Sequence, residues 1–154
     1  MGLLNRYEKI RMDKDAILKA ESRNRSGGKK RMNRTIRVSA AGDILIMKRL
    51  LPGYQDVLPI REFLMQGEVR MANLETTISD GSCYASAYSG GTWLTADAKC
   101  LEDTLRYGFN FLGISNNHTM DYSYEGLAST ISELKKKDVA YAGAGKNLYE
   151  ASRP

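Results

Sequence analysis

From residue 35 onward, short β-rich segments alternate with segments of helical periodicity, and this order restricts the fold to one class. The predicted strands cover residues 35–41, 68–72, 109–114 and 139–142, and the predicted helices cover residues 56–66, 97–107 and 124–137. A β-α-β-α-β-α-β order is typical of a mainly parallel sheet covered by helices. The sequence therefore predicts an α/β domain over residues 35–154.

Polar side chains follow three of the predicted strands. Asp43 follows the first strand, and Asn73 and Glu75 follow the second. Asn117 and His118 follow the third strand. Ligands of parallel α/β sheets bind beyond the carboxyl ends of the strands. We therefore expect these five side chains to meet at one edge of the sheet.

The residue types at this edge indicate a divalent metal ion. Carboxylate and amide oxygens form a hard ligand set that suits Mg²⁺ or Mn²⁺ better than a soft metal. We predict Asp43, Asn73, Glu75 and Asn117 as metal ligands. Such an ion polarises a phosphoryl oxygen or lowers the pKa of a bound water.

His118 and Asp121 are the predicted catalytic residues. The ordinary pKa of imidazole lies close to neutral, so His118 is suited to act as a general acid on a leaving group. Asp121, three residues later, would orient the imidazole or raise its pKa. Each candidate also has a structural interpretation, in which Asp43 closes a turn, Asn117 belongs to a turn and His118 lies near a helix start. Their occurrence at three successive strand ends favours the functional interpretation.

The net charge of +5 is unevenly distributed. Residues 1–37 hold twelve Lys and Arg against four Asp and Glu, a balance of +8, whereas residues 38–154 hold eleven against fourteen, a balance of −3. The basic charge thus belongs to an N-terminal arm, residues 1–34, predicted to be partly helical or disordered. The arm is either a solvated tail or a contact for a membrane surface. No nucleic-acid partner is expected, because the body has no basic surface interleaved with aromatic residues.

Several function classes are disfavoured by composition. The longest apolar run, Ile44 to Met47, is too short for a membrane span, and the N-terminus lacks the apolar stretch of a secretory signal. We therefore expect a cytoplasmic protein or one peripheral at the cytoplasmic membrane face. The only histidine, His118, excludes a site built from several histidines of this chain, and Cys83 and Cys100 are predicted to be free thiols.

Several motifs resemble those of one family in order and spacing. They comprise Ala41-Gly42-Asp43-Ile44-Leu45, Ala72-Asn73-Leu74-Glu75, Gly90-Gly91-Thr92-Trp93-Leu94, Ser115-Asn116-Asn117-His118-Thr119-Met120-Asp121 and Ala142-Gly143-Ala144-Gly145. The chain resembles, from about Arg37 to Pro154, the CapA-type poly-gamma-glutamate capsule-synthesis proteins. These proteins form a branch of the calcineurin-like metallophosphoesterase superfamily.

The resemblance implies a metallophosphoesterase-like α/β/β/α sandwich. It also implies a divalent-metal site near Asp43, Glu75 and Asn117, with His118 in the place of the catalytic histidine. The implied function is a metal-dependent hydrolase of capsular polymer biosynthesis, acting on an anionic polymer or a phosphoester. The alternative is a non-catalytic binding or scaffold component of a capsule-synthesis complex.

The chain departs from the family pattern in two ways. Leu45 and Lys48 stand where methionine and arginine are usual, with Arg49 one place later. The later histidine-bearing motifs that complete the metal site have no counterpart. We therefore expect the N-terminal β-α-β-α-β-α-β half of the sandwich, with an incomplete metal site and with sheet edges that favour self-association.

Overall fold

The computed structural model describes residues 34–89 and 91–153. The chain divides between Thr35 and Ile36 into two units, and the second unit carries the fold described below. The predicted arm lies outside the described residues except for Arg34. None of the helices in the described part is long and apolar enough to cross a membrane.

The elements follow the alternation that the sequence predicts. In chain order they are β1 (Val38–Ile44), α1 (Val57–Leu64), β2 (Val69–Leu74), β3 (Thr77–Ile78), β4 (Thr95–Ala96), α2 (Ala98–Leu105), β5 (Phe111–Gly113), α3 (Ser123–Lys136), β6 (Ala140–Ala142) and α4 (Leu148–Ala151). The main sheet has the order β1-β2-β5-β6, and all its strands are parallel. The predicted α/β fold class, with a parallel sheet and covering helices, is confirmed.

All three longer helices pack on one face of this sheet. The strands are added in chain order toward one side, so right-handed crossovers place every connecting helix on the same face. The buried core agrees, because it joins Leu64 of α1, Leu101 of α2 and Leu134 of α3 to Ala72 and Leu112 of the sheet. A sheet with helices on one face is the arrangement of half an α/β/β/α sandwich.

The second face of the sheet is only half-buried. Across the strands, Ala40 pairs with Met71, Met71 with Phe111, and Phe111 with Ala140. Side chains alternate between the two faces of a strand. Met71 and Phe111 therefore point away from the helices, and both remain partly exposed.

The first strand differs from its predicted bounds. It was expected over residues 35–41 but runs from Val38 to Ile44, so Asp43 lies inside the strand instead of beyond it. The register with β2 shifts between Ala40 and Asp43, which is the signature of a β-bulge. Beyond this shift Asp43 pairs with Asn73 and Ile44 with Leu74.

A short parallel pair, β3 and β4, was not predicted. Thr77 pairs with Thr95, and Ile78 with Ala96. The Ile78 backbone N–H also donates to the hydroxyl of Thr130 at 2.9 Å, which fixes β3 against α3. Asp97 then caps α2, and its carboxylate accepts from the backbone N–H groups of Lys99 and Cys100.

The buried carboxylate of Asp103 on α2 forms hydrogen bonds with the segment that follows β1. The Asp103 side chain is 3% exposed and accepts from Arg49 Nε at 2.6 Å. It also accepts from the Leu50 backbone N–H at 2.8 Å. The Arg49 guanidinium lowers the pKa of the Asp103 carboxyl below its ordinary value.

Both cysteines are free, as the sequence predicts. Cys100 is buried in the core, whereas Cys83 is half-buried. Burial raises the pKa of the Cys100 thiol, which keeps it protonated and unreactive at neutral pH.

Candidate functional site

Two of the predicted metal ligands, Asp43 and Glu75, accept hydrogen bonds from a third, Asn73. Asn73 Nδ2 donates to Asp43 Oδ1 at 2.8 Å and to Glu75 Oε1 at 3.1 Å. Both carboxylates thus lie within hydrogen-bond distance of a single nitrogen atom. Asp43 is exposed, whereas Asn73 and Glu75 are half-buried.

Strand register explains this convergence. Asp43 on β1 pairs directly with Asn73 on β2 because of the bulge that precedes Asp43. Glu75 follows Asn73 by two positions, so the extended backbone keeps both side chains on one side. The next strand presents Gly113 opposite Asn73, and its missing side chain leaves space beside the amide.

Asn116 joins this carboxylate cluster to the loop after β5, and sequence reasoning did not select it. Its Nδ2 donates to Asn73 Oδ1 at 3.0 Å and to the Leu74 carbonyl at 2.9 Å. Its Oδ1 accepts from the His118 backbone N–H at 3.0 Å. The available signal was its place in Ser115-Asn116-Asn117-His118, directly after a strand, but the pattern does not distinguish Asn116 from Asn117.

The loop after β5 is closed by a threonine. Thr119 Oγ1 accepts from the Asn116 backbone N–H at 2.8 Å and donates to the Ile114 carbonyl at 2.9 Å. Asn117 lies on this loop between Asn116 and His118, and it is exposed. The loop is therefore held at both ends while Asn117 faces solvent.

His118 and Asp121 form a buried pair, as expected from their spacing. The distance from His118 Nδ1 to Asp121 Oδ2 is 2.8 Å, and the two residues are 8% and 1% exposed. A carboxylate accepts hydrogen bonds, so the imidazole tautomer with its proton on Nδ1 fits this contact and leaves Nε2 as the second ring nitrogen. Asp121 Oδ2 also accepts from the Leu94 backbone N–H at 2.8 Å, which fixes the carboxylate.

The two parts of the site are neighbours. Glu75 and His118 line the same small cavity at the carboxyl edge of the sheet. The structure thus brings together Asp43, Asn73 and Glu75 through one amide, and it places the His118–Asp121 pair beside Glu75.

The donor set suits a hard cation in part. Asp43 and Glu75 converge on one amide N–H₂ group, so positive charge is favourable at that point, and oxygen donors match Mg²⁺ or Mn²⁺. In residues 34–89 and 91–153, no group of three or more His, Cys, Asp or Glu is close enough to hold a metal ion. The carboxylates and amides of this site would therefore supply only part of a coordination shell.

A parallel α/β sheet with helices on one face is consistent with a fragment of a metallophosphoesterase-like α/β fold. A family model described as "Bacterial capsule synthesis protein PGA_cap" matches residues 37–154. The chain belongs to this family of bacterial capsule synthesis proteins.

Individual relatives agree with the family match. The chain is similar to the "Capsule biosynthesis protein CapA" of Bacillus anthracis, with 28% identity over 128 residues, 78% of this chain and 31% of the relative. Uncharacterized protein y4sH of Sinorhizobium fredii is 29% identical over 120 residues, 73% of this chain and 25% of the relative. The "PGA biosynthesis protein CapA" of Bacillus subtilis is 38% identical over 45 residues, 29% of this chain and 12% of the relative. The matched segment covers less than a third of each relative.

Proposed function

We propose that the chain is part of a metal-dependent hydrolase of the phosphoesterase type that serves capsular, poly-gamma-glutamate polymer biosynthesis. The observation that carries the proposal is the convergence of Asp43 and Glu75 on Asn73 beside a buried His118–Asp121 pair. The family match and the names of the Bacillus relatives support the role in capsule synthesis. An anionic polymer or a phosphoester is the proposed substrate class.

In this mechanism the carboxylates would hold a divalent cation. Oxygens of Asp43, Glu75 and Asn117 would bind Mn²⁺ or Mg²⁺, with Asn73 as the residue that joins the two carboxylates. When bound, such an ion polarises a phosphoryl oxygen and lowers the pKa of a bound water. Asn116 fixes the distance between the loop after β5 and Asn73, which orients the amide.

His118 is the proposed general acid. Asp121 accepts from Nδ1–H and orients the imidazole, so Nε2 is the nitrogen that would carry the proton donated to the leaving oxygen.

Metal binding provides the first test. We expect Asp43→Asn to weaken Mn²⁺ binding to the 154-residue chain by at least about 10-fold, because it removes one of two converging negative charges. Isothermal titration calorimetry measures the affinity. The matched control is Asp138→Asn, which makes the same chemical change at an exposed residue with φ of 54°, a conformation that asparagine tolerates. Equal affinities for the two variants would contradict the metal site.

Hydrolysis provides the second test. With Mn²⁺ and bis(p-nitrophenyl) phosphate, His118→Gln is expected to lower the rate by about 10²- to 10⁴-fold while Mn²⁺ affinity changes little. The physical reason is that glutamine has no proton to transfer near neutral pH. A wild-type rate equal to that of Mn²⁺ in buffer would contradict hydrolysis by this chain.

The alternative function is that of a non-catalytic binding component of a capsule-synthesis complex. One observation supports this candidate. Helix α1 and its C-cap expose Leu58, Ile60, Phe63 and Met65, each at least 42% accessible, and such apolar surface is typical of association with another chain. Contact of the basic arm with a membrane surface and self-association through sheet edges stay proposals of the same kind.

A further inference from the structure

One hydroxyl beside the candidate site has no hydrogen-bond partner. Thr76 is 2% exposed, and its Oγ1 is the buried side-chain polar atom left unpaired among the described residues. Buried polar groups in native proteins are almost always hydrogen-bonded, to protein atoms or to ordered water. We therefore expect the Thr76 hydroxyl to form a hydrogen bond with a group other than a protein side chain.

A small cavity lies next to this residue. Thr76 lines it together with Glu75, His118, Thr119 and Thr130. Its volume is about 10 Å³, which is the room that one water molecule needs. The lining joins the segment after β2 to the loop after β5.

Two other hydroxyls of this lining, those of Thr130 and Thr119, already have hydrogen-bond partners. Thr130 Oγ1 accepts from the Ile78 N–H and donates to the Gly126 carbonyl, both at 2.9 Å. Thr119 Oγ1 accepts from the Asn116 N–H and donates to the Ile114 carbonyl. Of the three, Thr76 is the hydroxyl that has both a proton and lone pairs left to offer.

We propose that this cavity binds one water molecule, held by Thr76 Oγ1 and by other polar groups of the lining. A buried water is stable where it makes two to four hydrogen bonds in a polar space of its own size. The bound water links the segment that carries Glu75 to the loop that carries Asn117 and His118. Water binding in this cavity depends on packing and hydrogen bonding alone. It is therefore independent of metal binding and of hydrolysis.

Two substitutions separate the hydroxyl from the shape of the side chain. Thr76→Val keeps the shape and removes the hydroxyl, whereas Thr76→Ser keeps the hydroxyl and is the matched control. Oxygen-17 magnetic relaxation dispersion on the full chain counts waters with long residence times. We expect the count to fall by one in Thr76→Val and to stay at the wild-type value in Thr76→Ser. The melting temperature of Thr76→Val is expected to fall by about 3–6 °C, because the hydrogen bonds of the water are lost.

Equal water counts in Thr76→Val and the wild type would overturn the proposal. So would a higher melting temperature of Thr76→Val, since removal of an unpaired buried hydroxyl is neutral or stabilising. If Thr76→Val does not fold, a high-resolution crystal structure of the wild-type chain decides the question. Water density within hydrogen-bond distance of Thr76 Oγ1 supports the site, and a dry cavity excludes it.

Discussion

Replacing Asp103 by asparagine is expected to lower the free energy of unfolding by about 2–3 kcal/mol, because hydrogen bonds to a buried carboxylate are stronger than neutral ones. Asp103 accepts from Arg49 Nε, from a second Arg49 nitrogen at 3.3 Å and from the Leu50 N–H. Asparagine preserves the shape but removes the charge and one acceptor. Urea unfolding at pH 7 measures the change.

The same carboxylate makes stability depend on pH in a defined direction. Its pKa is lowered in the folded protein, chiefly by the hydrogen bond from Arg49, relative to the ordinary value of 3.8. The stabilisation is thus fully present above about pH 3.8 and is lost as the pH falls through the lower, folded pKa. Asp103→Asn is expected to show less of this acid-induced loss than the wild type.

The control for both measurements is Asp56→Asn. Asp56 precedes α1, is exposed and makes no side-chain cap hydrogen bond, so the same chemical change there is expected to be nearly neutral. Equal urea midpoints for Asp103→Asn and Asp56→Asn at pH 7 would show that the buried carboxylate contributes nothing specific.

Substitution of Gly143 by alanine is expected to cost about 2–4 kcal/mol of stability through backbone strain and overpacking together. Gly143 has φ of 107°, and an added Cβ would lie 2.6 Å from Ser115 Cβ and 3.2 Å from the Ser115 backbone nitrogen. Ser115 begins the loop that carries Asn116 and Asn117, so relief of the clash displaces that loop. Thermal unfolding and urea unfolding measure the effect.

Two other glycines separate the causes. Gly53 has φ of 76° but open space around it, so Gly53→Ala reports backbone strain alone. Gly42 has open space and no positive φ, so Gly42→Ala is expected to change stability least. A loss in Gly143→Ala no larger than that in Gly53→Ala would contradict the contact with Ser115.

The order of elements was predictable because it rests on local patterns. Helix α3 was expected over residues 124–137 from Leu127, Ile131 and Leu134, and it spans Ser123–Lys136. Three of its core-facing positions repeat at helical spacing, which is a property of the sequence alone. Helix α2 was also predictable from the local sequence, and its start is marked by the capping residue Asp97.

The bounds of β1 and the existence of β3 and β4 were not predictable from local patterns. The bulge after Ala40 appears only when β1 pairs with β2, because it adjusts the register of two distant segments. Strands β3 and β4 have two residues each, too few for an alternating pattern to emerge.

The location of the candidate site was predictable, but its internal bonding was not. Asp43, Asn73 and Glu75 were placed at one edge by the rule for parallel strands, and the hydrogen bonds of Asn73 bring them together. Asn73 donates to both carboxylates, and its side-chain oxygen accepts a hydrogen bond from Asn116. This arrangement depends on side-chain geometry. Residue types alone do not determine which atom of an amide faces which neighbour.

The order β1-β2-β5-β6 also bears on how the domain assembles during synthesis. Each strand of the main sheet pairs with the strand of that sheet that precedes it in the sequence. No later strand has to insert between two strands that are already paired. The connections β1–β2 and β5–β6 each contain one helix, which keeps these pairings local in sequence. The sheet can therefore extend at one side as the chain leaves the ribosome, with β6 as its growing edge.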